Sequence, residues 1–290
     1  MSIASHYQPG RCGLSFELFP PRTPEGFDAV YENVKRLVAF KPDFFTCTYG
    51  AGGSSQKATL DVVQKVAQIT GCPVASHLTC VGSTVDELRA YLREAASRGV
   101  NYIVALRGDP PKGTTEFQCV AGGLRYANEL VELIHREFDF GIAVAGYPEV
   151  HQEALSAEVD IANLKRKVDA GADVIVTQLF YCNDDFYRFR DTCDAAGIRV
   201  PIVPGILPVT NFSQAQRIAS MCKAYIPEDF ADAMNENDSP DWQFNVGVDH
   251  ARRQTIDLIE HGVPGVHYYI LNKSSAAEAM LDGMQLGAVS

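Results

Sequence analysis

The strongest constraint on how this chain can fold is an alternation. Eight short apolar runs with strand character recur along it, at 14–19, 44–49, 74–80, 102–108, 142–148, 174–180, 200–207 and 266–271. Between them, apolar residues recur at helical spacing over 27–40, 60–70, 85–98, 124–137, 155–170, 186–196, 212–221 and 244–260, with 274–286 after the last run. Gly71, Gly99, Gly171, Gly197 and Gly262 stand just past helices, where a left-handed cap residue is wanted. Ser54 and Ser83 occupy N-cap positions, and Thr84 with Glu87 fits a capping box. Strands that are apolar throughout and joined by helices belong to a parallel sheet covered on both faces. Eight such repeats predict a closed (β/α)8 barrel, an α/β fold that accommodates 290 residues in a single domain. A doubly wound open sheet is the alternative, but no G-x-G-x-x-G follows the first strand. The acidic, turn-rich stretch 225–242 reads as an elaborated connection within that domain.

Charge and cysteine spacing narrow the function classes. A net charge of -11 and a pI near 5.1 oppose binding to nucleic acid or to an anionic membrane surface. The first residues lack the basic stretch and apolar core of a signal peptide, and no apolar run approaches the roughly 18 residues of a spanning helix. A cytoplasmic protein is expected. The eight cysteines include no C-x-x-C pair, so free, buried thiols are expected rather than a zinc ribbon, an iron–sulfur cluster or a redox dithiol.

One carboxylate interrupts the first apolar run, Gly13-Leu14-Ser15-Phe16-Glu17-Leu18-Phe19-Pro20. Burial disfavours the charged form, so Glu17 either pairs with a nearby cation, Arg22 or Lys41, or holds a proton and can act as an acid. The segment alone leaves both readings open. In a barrel of this kind the active site forms where the strands end. Read in order, those ends hold Glu17; Thr48 and Tyr49; His77 and Thr79; Arg107, Gly108 and Asp109; Tyr147, Glu149 and His151; Gln178; Pro204 to Pro208; and Asn272 with Lys273. Hydrogen-bonding or titratable groups on nearly every strand end argue for an enzyme pocket. Plainer readings stand beside the functional ones. Arg107 and Asp109 would make a rim salt bridge, Lys165-Arg166-Lys167 a solvated basic turn, and His77 a satisfied core residue. His151 would sit in a loop, and Phe212 would be the hydrophobic start of a helix.

These segments, in this order, resemble the methylenetetrahydrofolate reductase family. The matching words are Phe16-Glu17-Leu18-Phe19-Pro20-Pro21-Arg22, Thr48-Tyr49-Gly50-Ala51-Gly52-Gly53, His77-Leu78-Thr79-Cys80 and Ala105-Leu106-Arg107-Gly108-Asp109. They continue in Tyr147-Pro148-Glu149-Val150-His151, 164–172, Pro204-Gly205-Ile206-Leu207-Pro208 and Leu271-Asn272. The resemblance implies a (β/α)8 (TIM) barrel over 1–290, the catalytic domain alone, without the regulatory domain of eukaryotic members. It implies reduction of 5,10-methylenetetrahydrofolate to 5-methyltetrahydrofolate through bound FAD. NADH or NADPH and folate would alternate in a ping-pong cycle that feeds one-carbon metabolism and methionine synthesis.

The same resemblance assigns roles by position. Glu17 would be the general acid at N10 of the folate, and Asp109, kept ionised beside Arg107, would bind the pterin and tune the flavin. FAD would be held by Thr48, Tyr49, His77, Arg107, Gly108, Asp109, Tyr126, Ala127, Tyr147, His151, Ala154, Asp160, Asn163, Arg166 and Lys167. Gln178 would bind the pterin or the nicotinamide carboxamide, and Phe212 would stack on substrate. Lys273 would meet the folate glutamate tail, where many relatives carry arginine and its bidentate fork. A homo-oligomer is expected, and no metal, since the H-x-H pair of many metal barrels is missing. Two other classes compete. A metal-dependent lyase or aldolase barrel needs converging His, Asp and Glu ligands, and a flavin-binding subunit without catalysis has no use for Glu17, Asp109 and Gln178.

Overall fold

A computed structural model describes residues 2–49, 56–109, 117–284 and 286. Its strands are β1 Gly13–Leu18, β2 Phe44–Cys47, β3 Val74–Thr79, β4 Tyr102–Leu106, β5 Gly141–Gly146, β6 Val174–Thr177, β7 Ile202–Val203, β8 Gly205–Ile206 and β9 Gly265–Tyr269. All pair in parallel, in the order β7-β6-β5-β4-β3-β2-β1-β9-β8. Because β7 and β8 are the two halves of one chain segment, the sheet closes on itself as a (β/α)8 barrel. The expected strand 200–207 is therefore two short pieces. Pro204 has no N–H to give, and its carbonyl instead accepts from His267 N at 2.9 Å, so the segment changes partner there from β6 to β9.

The helices run α1 Pro24–Leu37, α2 Gln56–Thr70, α3 Val85–Ser97, α4 Ala127–Glu137, α5 Ala157–Asp169, α6 Asn183–Ala195, α7 Phe212–Cys222, α8 Glu228–Asn235, α9 Pro240–Glu260 and α10 Ser275–Leu281. Side-chain caps set their starts. Thr23, Ser156 and Asn211 accept from backbone N–H groups in the first turn, and Thr84 with Glu87 makes the capping box. Thr84, not Ser83, is the α3 cap, and Ser54 lies outside the described residues. Gly71, Gly99, Gly171, Gly197 and Gly262 all take positive φ, as their positions after helices require. The stretch 225–242 holds a helix of its own, α8, and the start of α9. The expected helix 274–286 is shorter, ending at Leu281. Cys47, Cys80 and Cys193 are buried free thiols, but Cys119 is exposed, against the expectation. Among the described residues no helix is long and apolar enough to cross a membrane.

Strand side chains alternate, so one set packs under the helices and the other fills the barrel. The outer core includes Leu14, Phe16, Leu18, Phe45 and Tyr268. The inner one holds Phe44, Ala75, Tyr102, Val104, Ala143, Val174 and Val203, joined by Ile3 and Tyr7. Ile3 belongs to a short 3₁₀ helix, Ile3–His6, and His6 Nε2 lies 2.9 Å from Tyr102 Oη. Apolar side chains thus plug the end of the barrel where the strands begin. The opposite end is left for the site.

Candidate active site

A cavity of about 1250 Å³ opens where the strands end. Inward positions of successive strands line it: Glu17 on β1, Thr46 on β2, His77 and Thr79 on β3, Leu106 on β4, Ala145 on β5, Val176 on β6, and His267 with Tyr269 on β9. Thr48, Tyr49, Arg107, Gly108, Asp109, Tyr147, His151 and Gln178 extend the wall past the strand ends.

Glu17 meets neither Arg22 nor Lys41. Its Oε2 lies 3.4 Å from His77 Nε2 and 3.7 Å from His267 Nε2, and its side chain keeps 21% exposure toward the cavity. Burial pushes the His77 pKa down, opposed by the attraction of Glu17, and His267 pushes it further down; His77 is therefore neutral at neutral pH. His267, 1% exposed, is tied through Nδ1 to Ser15 Oγ at 2.8 Å. Beside it, the Tyr269 hydroxyl donates to the Thr177 carbonyl at 2.7 Å, and burial pushes that phenol's pKa well above its ordinary value. Thr46 is 2% exposed, and its Oγ1 has no hydrogen-bond partner among the described residues. A buried hydroxyl left unpaired on a cavity wall marks a place for a ligand or a water.

The Arg107–Asp109 salt bridge does not form. Arg107 instead grips Glu153 with two bonds, at 2.6 and 2.7 Å, and lies 5.1 Å over the Phe117 ring, while Asp109 is exposed on the cavity rim. Gln178 sits in the wall with its Oε1 accepting from Leu179 N at 3.0 Å, so its amide nitrogen is the end turned to other partners. Tyr147 packs edge-on to His151 with ring centroids 4.5 Å apart, and burial raises its pKa to about 12. Lys167 is pulled down to about 8 by burial, opposed by Asp160, and its ammonium donates to the Ala145 carbonyl at 2.6 Å. Asp160 accepts from His151 N at 2.9 Å, which ties α5 to the loop after β5.

The remaining expected residues lie off the cavity wall. Arg166 bonds Asn163 at 2.5 Å on the exposed side of α5. Ala154 donates its N–H to the His151 carbonyl, Tyr126 caps α4 with 53% exposure, and Ala127 is that helix's first residue. Phe212 is only 4% exposed, packed with Leu179, Tyr181, Leu207 and Val209 as the hydrophobic start of α7. Lys273 is exposed, just past the last strand. Residues 50–53 of the Thr48–Gly53 word lie outside the described residues. The sequence reading missed Thr46, Glu153, His267 and Tyr269. The period-two pattern of Val266-His267-Tyr268-Tyr269 was the available signal, since it sends His267 and Tyr269 to the same face. Among the described residues no three His, Cys, Asp or Glu side chains gather as metal ligands would.

Comparison with known proteins identifies the family. The profile of the family described as methylenetetrahydrofolate reductase matches residues 2–285. The chain is 42% identical over 272 residues to the 5,10-methylenetetrahydrofolate reductase of Escherichia coli, covering 93% of this chain and 90% of that one. It is 38% identical over 299 residues to methylenetetrahydrofolate reductase (NADH) 1 of Arabidopsis thaliana, covering 99% of this chain and 50% of the plant protein. Among solved structures, a Clostridium thermocellum protein described as binding two copies of 5-methyl-5,6,7,8-tetrahydrofolic acid superposes with a TM-score of 0.64. At 14% identity, over 94% of this chain and 93% of the other, that likeness is one of fold.

Proposed function

The chain belongs to the methylenetetrahydrofolate reductase family, and from that premise we propose that it reduces 5,10-methylenetetrahydrofolate to 5-methyltetrahydrofolate, with FAD as bound cofactor and NADH or NADPH as the alternating reductant. The observation that carries this reading is Glu17. It is a carboxyl group flanked by two imidazoles and open to a large cavity at the strand ends. A proton passed from Glu17 to N10 of the folate opens its five-membered ring and leaves an iminium carbon able to accept hydride. Without that proton the nitrogen is a poor leaving group.

The residues present fit FAD. A volume of about 1250 Å³ exceeds the roughly 300–1,000 Å³ of ordinary small-molecule pockets, leaving space for a flavin ring and a second ring system together. The unpaired Thr46 hydroxyl and the Gln178 amide offer hydrogen bonds within the wall, and Lys167 offers a cation whose recorded hydrogen-bond partner is a carbonyl rather than a carboxylate. When bound, FAD supplies the two-electron hydride chemistry that no side chain possesses. Thr48, Tyr49, His77, Arg107, Gly108, Asp109, Tyr147 and His151 would hold it from the wall. Tyr126, Ala127, Ala154, Asp160, Asn163, Arg166 and Lys167 would hold the parts that extend beyond. Asp109 and Gln178 would bind the pterin, Gln178 also the nicotinamide, and exposed Lys273 the glutamate tail. Phe212, packed in its own cluster, would have to leave it to stack on substrate.

A role in methionine synthesis, a cytoplasmic location and assembly into a homo-oligomer belong to the same proposal and rest on family membership. The test is spectroscopic. The purified protein is expected to be yellow, to bleach anaerobically with NADH or NADPH, and to recover its colour on addition of methylenetetrahydrofolate. A colourless protein carrying a stoichiometric metal would overturn it.

A further inference from the structure

We propose that Ser15 and His267 form a positioning pair that sets the orientation of the Glu17 carboxyl. Ser15 and Glu17 are successive inward residues of β1, and His267 stands directly opposite Ser15 in the register with β9. Ser15 is fully buried and His267 is 1% exposed, so their polar atoms need partners inside the barrel. They meet through the 2.8 Å contact between Ser15 Oγ and His267 Nδ1. In the proposed pair the hydroxyl donates to Nδ1, which puts the ring proton on Nε2, the atom that faces Glu17 Oε2 at 3.7 Å.

The ring is held from a second side as well. Tyr269 meets it edge-on at 5.2 Å between centroids, and that tyrosine is anchored to the Thr177 carbonyl. Across the cavity His77 Nε2 approaches the same carboxyl oxygen at 3.4 Å. Two imidazoles therefore converge on Oε2, one of them held in place by Ser15 and Tyr269. That leaves Oε1 as the oxygen available to the folate.

The inference rests on the reading of Glu17 as the acid, and the test separates the two. Long-range ¹⁵N–¹H spectra of histidine-labelled holoenzyme, assigned with a His267→Gln sample, report the tautomer of His267 in the unaltered protein. The proton is expected on Nε2; a proton on Nδ1 overturns the proposal. In kinetics, His267→Gln keeps a donor near the Nε2 position, whereas His267→Asn withdraws it from Glu17. The Asn variant is expected to lose ~10- to 100-fold in kcat for folate reduction, the scale of a small misplacement of a reacting group. KM, flavin content and flavin reduction by NADH should hold, and Gln should recover most of the loss. Gln as poor as Asn, or equal slowing of both half-reactions, overturns it. Ser15→Ala repeats the measurement if the Asn variant does not fold. Glu17→Gln, run alongside, marks the other failure: retained folate reduction there sinks the acid reading itself.

Discussion

Lys167 and Glu17 show how neighbours, rather than residue type, set what a side chain can do. Burial lowers the Lys167 pKa from 10.5 to about 8, so the ammonium is charged below that pH and lost above it. If it neutralises a cofactor phosphate, FAD affinity holds below pH 8 and falls as pH rises through it. Flavin-fluorescence titrations across that range are expected to show the dissociation constant climbing above pH 8. Lys167→Ala should loosen FAD below pH 8 and approach the unaltered protein above it, without unfolding the barrel, because the side chain hydrogen-bonds the Ala145 carbonyl rather than a carboxylate. A pH-independent affinity would remove Lys167 from the cofactor. The sequence exposed Glu17 readily, since a carboxylate inside an apolar strand is conspicuous. Its neighbours were hidden. Ser15 and His267 are 252 positions apart, and each looks like an ordinary residue in its own segment. Arg107 misled for the same reason, because local reading paired it with Asp109 whereas its partner Glu153 lies 46 positions on.

Among the elements, the strand–helix alternation was legible throughout because its periods, two and 3.6, are written into the apolar residues. The split between β7 and β8 was not. A continuous apolar run gives no sign that its two halves pair with different strands, and only Pro204 hints at the break. Gly205 follows it for a steric reason: a Cβ there would lie 2.3 Å from the Thr177 carbonyl oxygen and 2.6 Å from Tyr269 Cε2. Gly205→Ala must push either the β6 end or the Tyr269 ring aside, at about 1–3 kcal/mol by analogy with overpacked cores. Thermal unfolding should register the loss, and the cavity should suffer with it, since Tyr269 is in its wall. An unchanged melting temperature would mean that the strand junction yields freely. The 3₁₀ plug at Ile3–His6 also escaped notice, being too short to show a period.

For the molecule as a whole, one end of the barrel is filled and the other carries the chemistry. Ile3, Tyr7 and Tyr102 close the first end, while Glu17, His77, His267 and Gln178 share the open one. Under the proposed function, Arg107, Arg166 and Lys167 would be the positive groups that meet the cofactor's phosphates in a protein of net charge -11. Fold and pocket location thus follow from patterning, but the pairing inside the pocket depends on barrel closure, which brings β9 against β1. The most direct test is anaerobic stopped-flow of Glu17→Gln, which keeps the side chain's shape and removes its proton. Reduction of the flavin by NADH or NADPH needs no acid and should survive. Folate reduction should fall by ~10²–10⁴-fold, the usual worth of general acid catalysis. Equal slowing of both half-reactions would make Glu17 structural, and unimpaired folate reduction would contradict the account.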